Sequence, residues 1–318
     1  VRLRSLLLVP ANREGLAEEA SGLDADAFVL DLADSVPLAE KEAARTAARD
    51  GIARLAAAGK SVWVRINSTF SLLARDDVRA VVCAGLTGLL VPKCERPEQV
   101  LYLEALLRDA EPAAGVKPGT VRLIPAIESA AALLRAAEIA RASERAAALF
   151  FGGENFVADF GLTRAYESGE LAYARSAVAV AARAARLQAI DTAYPNLHDD
   201  EGLRRDARTA LALGMTGKLA QHPEQLGSIN DVFAPDPAAV ERARALVAAH
   251  EAATKEGRGA IEVEGVLVDA PVVARARALL SRAGVPERDE AADAAPPAAS
   301  PEQAPRPGRR TRARGSAG

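Results

Sequence analysis

Eight short apolar runs limit what this chain can fold into. They read SLLLVP (5–10), AFVLDL (27–32), SVWVRI (61–66), LTGLLVP (86–92), VRLIPAI (121–127), AALFFGG (147–153), LQAIDT (187–192) and GKLAQ (217–221). Each is apolar nearly throughout rather than at alternate positions, as in strands buried on both faces of a parallel sheet. Parallel strands need long crossovers, usually helices. Alanine-rich segments with apolar residues at helical spacing supply them, among them KEAARTAARDGIARLAAA (41–58) and SAAALLRAAEIARA (129–142). Eight strand–helix units in succession make a (β/α)8 TIM barrel the economical α/β architecture. A doubly wound open sheet is the alternative. Against it, no G-x-G-x-x-G or G-x-x-x-x-G-K-[ST] follows any run, so the nucleotide-binding fingerprints of that fold are missing.

The barrel is expected over residues 1–235. Two further helical stretches, 236–256 and 271–283, flank an extended piece, GAIEVEGVLVDAP (259–271), and predict a C-terminal lid or oligomerisation module over 236–285. From Pro286 to Gly318 the apolar periodicity is lost. A segment so rich in proline, alanine and charge cannot bury enough surface to offset its ordering entropy, so 286–318 is predicted to be a disordered tail. Its arginines, Arg306, Arg309, Arg310, Arg312 and Arg314, leave an anionic contact open, although an inert solvated tail is the plainer reading.

Charge excludes several partner classes. With 40 basic against 43 acidic residues and a pI near 5.8, the chain has no global footprint for nucleic acid or a polybasic membrane surface. Two cysteines, Cys83 and Cys94, cannot build a disulfide scaffold or a thiolate zinc site. The opening VRLRSLLLVPANRE stops too soon for a secretory signal, and no later run is long enough to span a bilayer. A reduced, cytoplasmic globular protein is therefore expected. Lysine is scarce, at six residues against 34 arginines, so each lysine merits inspection.

The active site of such a barrel lies at the C-terminal ends of its strands. Those positions hold Asn12 and Arg13, Asp31 and Asp34, Arg65 and Asn67, Lys93, Glu128, Glu154 and Asn155, Asp191, then Gln221 and His222. Charged groups ending apolar runs are costly unless paired or bound to a cation. Their convergence predicts a site for an anionic substrate with a hard divalent ion, the alternative being structural ion pairs closing the mouth. None of His198, His222 and His250 has zinc-site spacing, and His222, before Pro223, reads as a loop-ordering residue.

The ordered motifs R-S-L-L-L-V-P-A-N-R, L-D-L-A-D-S-V, V-R-I-N, L-V-P-K, P-A-I-E-S, G-G-E-N-F-V-A-D-F-G, A-I-D-T-A-Y-P, G-K-L-A-Q-H-P-E-Q and L-V-D-A-P-V-V resemble the citrate lyase β-subunit-like CoA-ester lyases of the HpcH/HpaI aldolase superfamily. The resemblance spans about residues 3–283 and implies a homotrimeric barrel that cleaves or forms a carbon–carbon bond next to a CoA thioester. It implies Mg2+ held by Glu128 and by the residue at position 155, with Arg65 facing the thioester oxygen. It further implies that Asp269 enters the site of an adjacent subunit as the base, and that Arg4, Arg13 and Lys93 serve the CoA phosphates and other anionic groups. A malyl-, citramalyl- or citryl-type thioester would then give acetyl-CoA or a related acyl-CoA plus a 2-oxo acid.

Two departures stand out. The family's G-x-E-D is Gly152-Gly153-Glu154-Asn155 here, and its L-D-L-E-D is Leu30-Asp31-Leu32-Ala33-Asp34. Asparagine offers a carbonyl oxygen without charge, which predicts weaker Mg2+ binding. Two other readings follow: an aldolase acting on free 2-oxo acid aldols, or a catalytically weakened paralogue that binds CoA esters.

Overall fold

The computed structural model describes residues 2–12, 19–20, 22–165 and 169–285. Arg13 and the predicted tail lie outside the described residues. Eight parallel strands close into a barrel in sequence order: β1 (Ser5–Pro10), β2 (Ala27–Asp31), β3 (Val62–Arg65), β4 (Leu86–Val91), β5 (Arg122–Ile127), β6 (Ala148–Phe151), β7 (Gln188–Asp191) and β8 (Gly217–Ala220), with β8 returning to β1. This is the expected (β/α)8 architecture, and each strand falls within its predicted run. Helices α1 (Lys41–Ala57), α2 (Leu73–Val81), α3 (Pro97–Ala113), α4 (Ala130–Leu134), α5 (Ala136–Arg141), α6 (Gly153–Phe160), α7 (Ala172–Ala184), α8 (Asp200–Ala212) and α9 (Gln225–Phe233) lie between and after the strands. In α1, Ala44, Ala48, Ile52 and Leu55 recur at helical spacing and are buried, which is why this alanine-rich stretch can pack its crossover against the sheet. Gly59, at φ 74°, follows its end in a conformation that glycine reaches without strain.

Residue 135 corrects one expectation. The stretch predicted as a single helix over 129–142 is divided there, with Arg135 at φ −112° and ψ 9° between α4 and α5. Buried Ala132, Ala136, Ile139 and Ala140 lie on both sides of the break, so the apolar stripe runs through it and conceals it.

Strand parity divides the core in two. Leu6, Ala27, Val29, Trp63, Leu90, Ile124, Ala126, Phe150, Ile190 and Leu219 fill the barrel interior, whereas Phe28, Leu30, Val62, Val64 and Leu123 pack with the helices. Trp63 is the largest of the interior side chains and is 1% exposed. It has room because position 88 is glycine: a Cβ there would lie 2.3 Å from the indole.

The chain divides into two compact units between Ala234 and Pro235. In the second unit, α10 (Pro237–Lys255) and α11 (Ala270–Arg282) pack through Ala243, Ala276 and Leu280. The extended piece is an antiparallel hairpin, β9 (Ile261–Val263) with β10 (Val266–Val268). Its turn residues Glu264 and Gly265 have φ of 51° and 77°, the left-handed pair that a two-residue hairpin turn requires.

Candidate active site

Parity places three charged side chains at the barrel mouth. Asp31 continues the inward series Ala27–Val29, Arg65 follows Trp63, and Glu128 follows Ile124–Ala126. Asp31 and Arg65 are register partners on β2 and β3, and their side chains form a bidentate ion pair. Arg65 Nε donates to Asp31 Oδ1 at 2.7 Å and Nη2 to Oδ2 at 2.6 Å, while Nη1 lies 3.4 Å from Asp34. Ala33 N, Ser35 N and Ser35 Oγ also donate to the Asp31 carboxylate. Burial pushes the Asp31 carboxyl upward, but the Arg65 hydrogen bonds and charge, with Ser35 and Ala33, overcome it and hold the group below the usual carboxylate range.

Glu128 has the opposite balance. It is 4% exposed, its Oε2 accepts from Lys93 N at 2.9 Å, and the Asn155 side chain faces the carboxylate. Burial dominates and raises its pKa, against the Lys93 N–H, the Arg65 charge and Asn155, with Asp34 adding to the rise. Two carboxyls near one arginine are thus pushed apart in acidity by their surroundings. Gly152 makes room for the second of them, since a Cβ there would sit 2.5 Å from Glu128 Cγ. Gly153 N donates to Thr192 Oγ1 at 3.0 Å, tying the first turn of α6, which carries Asn155, to the end of β7.

Lys93 contributes through its main chain. Its φ of 51° turns the N–H onto Glu128, its carbonyl accepts from Gln99 Nε2, and its side chain is exposed. Of the other expected residues, Arg4 and Asp191 are corrected. Arg4 does not face the mouth: it precedes β1 at the N-terminal end of the barrel, where its Nε and Nη2 grip Asp26 at 2.9 and 2.7 Å. Asp191 follows inward Ile190 and so points out to the helices, where Lys218 and Arg175 pair with it and with Asp206. All four members of that quartet are buried. Asp269 belongs to the second unit and caps α11, accepting from Val272 N at 3.2 Å. His222 accepts at Nδ1 from Glu224 N and orders its loop.

The donor chemistry around Glu128 suits a hard cation in kind, because a buried carboxylate and an amide side chain face each other and Mg2+ takes one or two carboxylates plus substrate oxygens. No group of three or more His, Cys, Asp or Glu converges on a cation position among the described residues. The set that fits is therefore Glu128 with Asn155, carrying one negative charge where two carboxylates would carry two.

Residues 4–223 match the family described as HpcH/HpaI aldolase/citrate lyase. The chain belongs to this family. It is 35% identical over 280 residues to citrate lyase subunit beta of Leuconostoc mesenteroides subsp. cremoris, covering 88% of this chain and 93% of that one. To the mitochondrial citramalyl-CoA lyase of Homo sapiens it is 30% identical over 284 residues, covering 86% of this chain and 83% of that protein. Among solved structures, protein CitE of Mycobacterium tuberculosis in complex with magnesium, acetoacetate and coenzyme A superposes with TM-score 0.70 at 30% identity, covering 89% of this chain and 99% of that one. As a member of this family the chain is a carbon–carbon lyase of the citrate lyase β type, built on the barrel these relatives share. No helix among the described residues is long and apolar enough to cross a membrane.

Proposed function

We propose that this lyase cleaves, or forms, a 3-hydroxyacyl-CoA thioester of malyl, citramalyl or citryl type, with Mg2+ bound at Glu128 and Asn155. The observation that carries the reading is Arg65, held in one plane by Asp31 at the same mouth as buried Glu128. The CitE structure with magnesium, acetoacetate and coenzyme A supports it, as do relatives named citrate lyase and citramalyl-CoA lyase.

Arg65 has five N–H groups, of which Asp31 engages Nε and one on Nη2. Of the other three, those on Nη1 lie towards Asp34 at 3.4 Å, and the rest serve the thioester oxygen, where the cleaved carbon–carbon bond leaves its electron pair as an enolate. A donor already fixed against the developing charge stabilises it without reorganising during the reaction. Asp269, supplied by a neighbouring copy in a homotrimer, takes the hydroxyl proton as the hydroxyl carbon becomes the keto carbon. The enolate is then protonated at carbon by the proton Asp269 has taken, giving the acyl-CoA and returning Asp269 to its carboxylate. When bound, Mg2+ supplies Lewis-acid polarisation of the 2-oxo acid oxygens. Glu128 must be ionised for this, and a cation beside it offsets the cost of its burial.

The test is incubation of the purified protein with Mg2+ and a panel of 3-hydroxyacyl-CoA thioesters, following acyl-CoA and 2-oxo acid. Matched release of both products supports the reading. Cleavage of free 4-hydroxy-2-oxo acids with no thioester turned over would overturn it in favour of an aldolase. Asn155 in place of the family's aspartate favours a second reading, binding of CoA esters without turnover, which the same panel tests.

A further inference from the structure

Lys41 opens α1 behind the turn that carries Asp31, and only 8% of it is exposed. Its Nζ donates to Leu32 O and to Ala33 O, both at 2.6 Å. These two main-chain oxygens are its hydrogen-bond partners, and no carboxylate forms an ion pair with it among the described residues. Burial disfavours the charge, and Asp31, Asp77 and Asp34 offset that only from beyond ion-pair distance, so a lysine here is costly to keep for packing alone.

Satisfying the carbonyls does not explain it. Leu32 O already accepts from Asn67 Nδ2 at 3.0 Å, and Ala33 O from Val36 N at 3.2 Å. What the ammonium adds is direction. Residues 32–35 turn N–H groups inward, with Ala33 N and Ser35 N donating to Asp31, while the Leu32 and Ala33 carbonyls face out to Lys41. Asp31 in turn fixes the plane of Arg65, whose own carbonyl accepts from Leu32 N at 2.9 Å. The turn is thus held between an anion on its inner side and a cation on its outer side. Asn67 ties the same carbonyl to Asp77 through bonds of 3.0 and 2.7 Å, and Asp77 is held by Arg45, so the support continues into α2.

We infer that Lys41 is a positioning residue for Arg65: by drawing the Leu32 and Ala33 carbonyls onto its ammonium, it locks the turn that presents Asp31 to the guanidinium. Lys41 touches no reacting atom. The inference takes from the proposed reaction only the role of Arg65, and its geometric part stands without that reaction.

The test compares the full-length wild type with Lys41→Met and with Lys41→Gln, which keeps a donor but no charge. Lys218→Met serves as a control because it removes another buried lysine, one whose side chain points from β8 to the helices and not to the mouth. The Arg65 Nε–H proton, assigned by its loss in Arg65→Lys, is followed by hydrogen exchange in 15N spectra. Thioester turnover is measured on the same samples, well below each melting temperature. The expected result is exchange about tenfold faster or more in the Lys41 variants and unchanged in Lys218→Met. With it, kcat falls about 10- to 100-fold in the Lys41 variants while KM stays within about twofold. If Lys41→Met does not fold, Lys41→Gln carries the comparison. Unchanged protection of Arg65 in the folded variants overturns the inference, as does equal loosening in Lys218→Met. Loss of protection in the Lys41 variants, alongside a wild type that turns over no thioester, sustains this inference and rejects the proposed reaction instead.

Discussion

Asp31 accepts both prongs of Arg65, Nε at 2.7 Å and Nη2 at 2.6 Å, on a side chain with no exposure of its own. Replacing it by asparagine leaves a guanidinium with 13% side-chain exposure without its bidentate partner, facing only the looser Asp34 contact at 3.4 Å. Breaking a buried pair in this way costs about 3–5 kcal/mol. Asp31→Asn is therefore expected to lower the urea midpoint and, with Arg65 no longer held flat, to reduce thioester turnover about 100-fold. A midpoint within error of the wild type would show that the pair contributes little.

The two mouth carboxyls have opposite pH signatures. The Asp31 pKa is lowered on folding, so its stabilisation is present above the unfolded value and is lost as pH falls through the folded one. The Glu128 pKa is raised, so in metal-free protein its burden is absent below the unfolded value and grows as pH rises towards the folded one. Glu128→Gln should therefore raise the neutral-pH melting temperature of metal-free protein while removing any shift caused by Mg2+. Melting curves from pH 3 to 8, with chelator and with Mg2+, check both signs. A fall in neutral metal-free stability for Glu128→Gln contradicts the second.

Asn155→Asp restores a second carboxylate beside Glu128. Metal-free protein should lose melting temperature from the like-charge contact, and Mg2+ should recover it, with binding about tenfold tighter than in the wild type. Isothermal titration and thermal shift read the two effects separately. An identical metal titration would remove position 155 from the ligand set.

Lys218 and Arg175 balance Asp191 and Asp206 in the helix layer, every side chain at 0–1% exposure. Lys218→Met leaves one positive charge against two negative ones and should cost about 3–5 kcal/mol in equilibrium unfolding. The quartet lies outside the mouth, so turnover per folded molecule is expected to stay within about twofold.

Arg4→Ala tests the correction at the other end of the barrel. Its Asp26 partner should lose the guanidinium, keeping only the residue 4 N–H, and stability should fall while KM for a CoA thioester stays unchanged. A rise in KM with stability intact would return Arg4 to the binding surface.

Much of this was legible because the strand runs are buried on both faces, and continuous apolar stretches mark their own bounds. The same property hides orientation. Asp31 and Asp191 each end such a run, yet one faces the mouth and the other the helices. With no polar–apolar alternation along the run, nothing local distinguishes them until the barrel closes. Lys41 was obscured in another way, since the partners that define it are main-chain oxygens, which leave no mark in a sequence. Its scarcity was the one available hint, as a rare lysine just after the L-D-L-A-D-S-V turn. The contact of the Lys93 N–H with Glu128 depends likewise on a left-handed backbone, which the sequence does not display.

Trp63 packs inside the barrel over the bare position at Gly88, and the interior around it is filled by side chains. The barrel is therefore stoppered, and every molecule that reaches Glu128 must depart by the rim through which it came. Access to the mouth is thus one-ended, imposed by an indole ring two residues before Arg65 on β3.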